Sequence, residues 1–187
     1  MNNTSVVILV AAAFLIGALV AFFAFRYYRN KQTRHIREHF GPEYSRLATE
    51  KGAVAAEREL AQREKRVAKF HIKLLSAEDK GRFMSRWQDV QKEFVDDPQG
   101  SLGHADALLG EVMTARGYPV MDFDQRAADL SVEHPIVVQH YHAAHEIALR
   151  HRDAKTTTED LRQAMIHYRA LFEELVSERP SHAEAAE

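Results

Sequence analysis

The sequence predicts an all-α protein consisting of a single N-terminal transmembrane helix, a helical stalk and a small helical bundle. Three observations carry that prediction. Residues 6–25 (VVILVAAAFLIGALVAFFAF) hold no charged or strongly polar side chain. Further along, apolar residues recur at helical spacing between recognisable caps. Nowhere does the chain alternate with the two-residue period of a half-buried strand.

A helix over residues 6–25 rises about 30 Å, the thickness of a bilayer's hydrocarbon core, and satisfies its backbone hydrogen bonds internally. The short tail before it, residues 1–5, lacks Lys and Arg, and no A-x-A site follows the apolar run, so a retained anchor is expected rather than a cleaved signal. Arg26, Arg29, Lys31, Arg34 and Arg37 come directly after it, opposed in that stretch only by Glu38. The positive-inside rule then places the N-terminus outside and the rest of the chain in the cytoplasm, as a single-pass protein of a bacterial-type cell membrane. Tyr27 and Tyr28 stand where interfacial aromatics belong. Ala13, Gly17 and Ala21 form a small-xxx-small row that suits close approach of two such helices, which makes a homodimer a candidate assembly.

At 187 residues there is room for one modest domain beside the anchor. The formal net charge of -2 gives no overall field toward nucleic acid, and none is expected as a partner. Without cysteine there are no disulfides, thiolate metal sites or cysteine nucleophiles.

Gly41-Pro42 breaks the basic juxtamembrane stretch. From there to residue 70 the composition is strongly helix-forming but has a poor core face. Tyr44, Leu47, Val54 and Ala55 line one side, yet Lys51 and Arg58 interrupt the stripe, so residues 26–70 read as a juxtamembrane segment and solvated stalk whose heptad is too weak to establish a coiled coil. The bundle is expected over residues 71–177, beginning near Leu74. Ser76 and Asp79 are spaced as a capping box ahead of a stripe of Phe83, Trp87, Val90 and Phe94. Asp97-Pro98 supplies an N-cap and first-turn proline for a helix burying Leu102, Ala105, Leu109, Val112 and Met113, and Gly117 ends it. A short helix follows near residues 122–130. Ser131 with Pro135 is read as opening the next, whose inner face is Val137, Tyr141, Ala144 and Ala148. Thr157 and Asp160 cap the last helix, with Leu161, Met165, Tyr168, Phe172 and Leu175 inward. Residues 178–187 have no apolar face and are expected to be disordered.

Two constellations could carry chemistry. His134, His140, His142, His145 and His151 cluster within a short stretch, and His142, His145 and Glu146 are the candidate metal ligands, since imidazoles three residues apart share a helix face. On a helical wheel no three of the histidines converge, and H-E-x-x-H is absent. The loop Arg116, Tyr118, Asp122, Asp124 and Arg126 is dense in charged and aromatic groups, the composition of an interaction site; Asp122 and Asp124 are also candidates for acid–base work. The structural alternative has an aspartate capping the short helix, with the arginines pairing locally. No catalytic signature or cofactor motif stands out. The leading expectation is a membrane-tethered interaction or scaffold module, and the alternative a histidine-based metal or haem sensor or carrier.

The stretches RFMSRWQDVQKEFVDDP (82–98), RGYPVMDFDQRAADLSVEHP (116–135) and TTEDLRQAMIHYRALF (157–172) resemble a family of bacterial membrane-anchored proteins of uncharacterised activity, often labelled secreted. The resemblance covers roughly the last 60% of the chain and implies no catalytic residue. Its label conflicts with the topology that the charge asymmetry implies.

Overall fold

The computed structural model describes residues 3–119, 121–152 and 156–177, and only the backbone of residues 3–15, 18, 25, 29, 151 and 152. Among the described residues it has seven helices and no strand: α1 (Asn3–Lys51), α2 (Ala53–Val67), α3 (Ala77–Asp96), α4 (Pro98–Arg116), α5 (Phe123–Glu133), α6 (Val138–Arg152) and α7 (Thr158–Ser177). The chain divides into two compact units, Met1–His39 and Phe40–Glu187. The tail expected to be disordered lies outside the described residues.

The first unit is the N-terminal part of α1. Arg34 donates from Nε to Glu38 one turn on at 2.7 Å, and the rings of His35 and His39 stack with centroids 5.7 Å apart. Ile16, Leu19, Val20, Phe22, Phe23, Tyr27 and Tyr28 are all exposed. Among the described residues no helix is long and apolar enough to cross a membrane. Much of the expected span falls on residues 6–15, 18 and 25, which lie outside the described side chains, as does Ala13 of the small-residue row.

The second unit opens where α1 breaks. Pro42 disfavours the helical region for the residue before it, and Gly41 takes φ 43°, ψ -111°. A second break follows at Gly52, φ 83°. These interruptions change the phase of the helix, and the segment expected to be a solvated stalk is instead packed. Leu47, Ala56, Leu60 and Val67 are buried, while Val54 and Ala55, which an unbroken wheel places on the same face as Leu47, are exposed. The helical unit therefore reaches back to Phe40 rather than beginning near residue 71.

The other helices form as their caps and stripes dictate. Asp79 N donates to Ser76 Oγ at 3.0 Å, Gly100 N to Asp97 Oδ1 at 2.9 Å, Gln125 N to Asp122 Oδ1 at 2.9 Å and Asp160 N to Thr157 Oγ1 at 3.2 Å, each starting a helix. Gly117 ends α4 at φ 98°, and a Cβ there would collide with the His71 carbonyl, so the left-handed turn and the close passage of residues 71–73 both require glycine. The expected opening at Ser131 is displaced. Ser131 lies inside α5, buried, with its hydroxyl donating to the Ala128 carbonyl at 2.6 Å; α5 runs on to Glu133, and α6 starts only after the Pro135 turn, at Val138. The physical reason is that Leu130, Ser131 and Val132 are all buried, so packing on more than one face carries the helix past the point where a local cap signal suggests a new start.

In packing order the bundle runs α3, α4, α7, α6, α5, α2, with α3 also touching α7. Trp87 stacks on Phe172 with centroids 4.6 Å apart, joining α3 to α7. Phe123 meets Tyr141 at 4.6 Å, joining α5 to α6. Truncation of Trp87, 3% exposed, to Ala is expected to cost about 3–5 kcal/mol. Leu60→Ala should cost about 2–5 kcal/mol, whereas Val54→Ala should stay within about 0.5 kcal/mol. Denaturant unfolding checks all three; a Leu60 variant as mild as the Val54 one would restore the stalk.

Candidate functional site

The residue directly after the Gly41-Pro42 break is Glu43, and its side chain is fully buried. A buried carboxylate is costly unless it is paired and hydrogen-bonded. Arg46, one turn on, donates from Nη2 at 2.7 Å and Nε at 3.0 Å. From α2, Arg63 Nη1 donates at 2.8 Å. From α6, Gln139 Nε2 donates at 3.4 Å, and His142 Nε2 stands 3.7 Å away. Arg63 also donates to Ser131 Oγ of α5 at 3.1 Å and to Glu59 at 2.6 Å. Arg46 spends its remaining donor on Glu50 at 2.6 Å, and Lys51 bonds Glu59 at 2.6 Å. Three helices thus meet at one anion, and Arg63 ties in a fourth, α5, through Ser131.

Burial by itself pushes Glu43 up. The hydrogen bonds and charges of Arg46 and Arg63 outweigh that and hold it below its ordinary 4.5. A carboxylate kept ionised by two guanidinium groups is a fixed negative charge that organises its neighbours, not a proton donor. Around it opens a cleft of about 520 Å³ whose walls include Lys51, Glu59, Asp122, Asp124 and His142. Acids and bases both line this cleft, the carboxylates of Glu43, Glu50, Glu59, Asp122 and Asp124 outnumbering Arg46, Lys51 and Arg63.

The candidate interaction loop is divided by the structure. Arg116 is 2% exposed and donates from Nη1 to the Leu175 carbonyl at 3.2 Å. Tyr118 is equally buried, its ring edge-on to Phe70 at 6.4 Å. Arg126 donates from Nη2 to Asp106 at 2.9 Å, and that carboxylate accepts the Tyr141 hydroxyl at 3.0 Å. These three residues tie elements together rather than face a partner. Asp122 and Asp124 remain on the surface at the cleft, and Asp122 is committed as the N-cap of α5.

The histidines are dispersed. His134 is not on α6 at all: it follows α5 as its C-cap, 3% exposed, with Nδ1 3.5 Å from Glu174. His140 and His167 meet across α6 and α7, Nδ1 to Nδ1 at 2.9 Å. His145 stacks on Phe123 with centroids 3.5 Å apart, and Phe123 presents its edge to His142. His142 and His145 therefore flank an aromatic ring rather than share an ion, while Glu146 is exposed. His151 lies outside the described side chains. Among the described residues no group of three or more histidines and carboxylates is placed to hold a metal.

Sequence reasoning missed Glu43, Arg46 and Arg63. The i,i+3 and i,i+4 pairs among Glu43, Arg46, Glu50, Glu59 and Arg63 were a readable signal. The bond that matters, between Glu43 and Arg63, bridges separate helices and has no local signature. No protein-family model, curated protein or solved structure matches the chain.

Glu43→Gln removes the anion and leaves two buried or half-buried guanidinium groups underpaired, and is expected to lower stability by about 3 kcal/mol in denaturant unfolding. Stability should also depend on pH in two windows. His134, His142 and His167 are held below the ordinary 6.5, in each case first by burial. The unfolded chain then binds more protons, so their contribution is full above about 6.5 and declines as pH falls. Glu43 has a depressed folded pKa, so its contribution is full above about 4.5 and is lost as pH falls through the folded value. Thermal melts from about pH 2 to about pH 8 check this: His134→Gln should flatten the upper window and Glu43→Gln the lower one.

Proposed function

We propose that this protein is a single-pass membrane protein whose helical unit serves as an interaction module on the cytoplasmic face. The observation that carries the reading is the uncovered apolar surface of the N-terminal unit, where Ile16, Val20 and Phe23 are each more than 60% exposed. A contiguous apolar surface of this kind in water signals a lipid or protein environment. The charge-free run of residues 6–25 and the basic flank that follows it favour lipid, with the N-terminus translocated. The part of the inter-helix loop still on the surface, Met121, Asp122 and Asp124, is the segment we assign to a protein partner. The polar cleft contributes shape and charge there rather than chemistry, because its central carboxylate is neutralised by its own arginines.

A fluorescent or enzymatic reporter fused after Glu187 should be active only in its cytoplasmic form, with the protein in the membrane fraction after alkaline extraction. An active periplasmic phosphatase fusion, or a soluble product lacking its first two dozen residues, would reverse the assignment. Asp124→Arg should weaken partner capture by the full-length protein without lowering its melting temperature. Unchanged capture would remove this loop from the interface.

A further inference from the structure

Away from the Glu43 cleft, α4, α6 and α7 line a half-open pocket of about 350 Å³, within the size range of small-molecule sites. We propose that it binds a small neutral molecule with an apolar body and one hydroxyl group. Its apolar walls are Leu102, Leu149 and Leu161, its polar lining is Gln99, Asp106, His145 and Tyr168, and the ligand hydroxyl is placed at the edge formed by Asp106 and Tyr168.

The polar edge defines the ligand's functional group. Asp106 accepts from Tyr141 at 3.0 Å and from Arg126 at 2.9 Å. A carboxylate offers roughly four lone-pair positions, so acceptor capacity is left over. The Arg126 guanidinium already compensates its charge, which favours a neutral donor over a cation. Tyr168 is 1% exposed, and burial together with the Asp106 charge raises its phenol well above the ordinary tyrosine value, so it stays a neutral hydroxyl. A ligand hydroxyl at this edge donates to Asp106 and accepts from Tyr168.

Gly103 offers a position from which to narrow this pocket. It lies inside α4 on the pocket lining, is exposed, and a Cβ built on it meets nothing within 4 Å. Its φ is not positive, and no neighbour approaches closely, so neither backbone conformation nor packing calls for glycine here. Glycine in a helix interior lowers stability relative to alanine.

The test uses the full-length protein in lipid nanodiscs with cyclohexanol as the probe, followed by saturation-transfer NMR. We expect saturable binding, with Gly103→Leu weakening it roughly tenfold while the melting temperature holds or rises, since leucine is the better helix former. Leu149→Trp, which narrows the cavity from a half-exposed position on another wall, should weaken it similarly and serves if the Gly103 variant does not fold. Non-saturable uptake by wild type, or equal affinity in wild type and the folded variants, overturns the proposal. Because the probe binds within the helical unit, either result is independent of the membrane topology.

Discussion

A carboxylate sealed from water must be answered by cations and donors within its reach, and in this chain Glu43 sets that condition for three helices at once and reaches a fourth through Arg63. Arg46 comes from its own helix and Arg63 from α2, Gln139 and His142 come from α6, and Arg63 extends the linkage to Ser131 on α5. Removing Glu43 leaves Arg46 and Arg63 without their shared counter-charge, so the carboxylate is the member on which the group depends. That is why a segment composed mainly of Glu, Arg, Lys and Ala packs against the bundle although it offers few apolar side chains. Its hydrophobic share, Leu47, Ala56, Leu60 and Val67, is modest, and the ion network supplies the register in which those residues become buried.

What the sequence made legible was local. Ser76, Asp97, Asp122 and Thr157 cap their helices because a capping bond spans only three residues and depends on little else. The stripes of α3, α4 and α7 could be read for the same reason: each helix is unbroken, so one wheel describes it. The segment from Phe40 to Val67 could not be read in that way. Gly41 and Gly52 each reset the helical phase, and a stripe drawn through Leu47, Val54 and Ala55 crosses a break that composition does not reveal. Ser131 misled in the opposite sense, as a good cap residue that tertiary packing left inside a continuing helix.

The candidate site follows the same division. Charged and aromatic residues crowd the loop from Arg116 to Arg126, but crowding does not say which of them turn inward. Arg116, Tyr118 and Arg126 became internal ties, and only the acidic end of the loop stayed at the surface. The histidine cluster dissolved because its members belong to different environments: His134 caps α5, His140 pairs across to α7, and His142 and His145 bracket Phe123. Apart from the α5 cap, those partners are distant in sequence.

The account is tested most directly by hydrogen exchange on residues 53–67 of the full-length protein, with Glu43→Gln alongside. If the buried carboxylate holds α2 in place, wild-type amides there are protected nearly as well as those of α5, and the variant loses protection in α2 before the α3, α4 and α7 core is affected. Rapid exchange throughout α2 in the wild type, as in a free charged helix, would contradict the account.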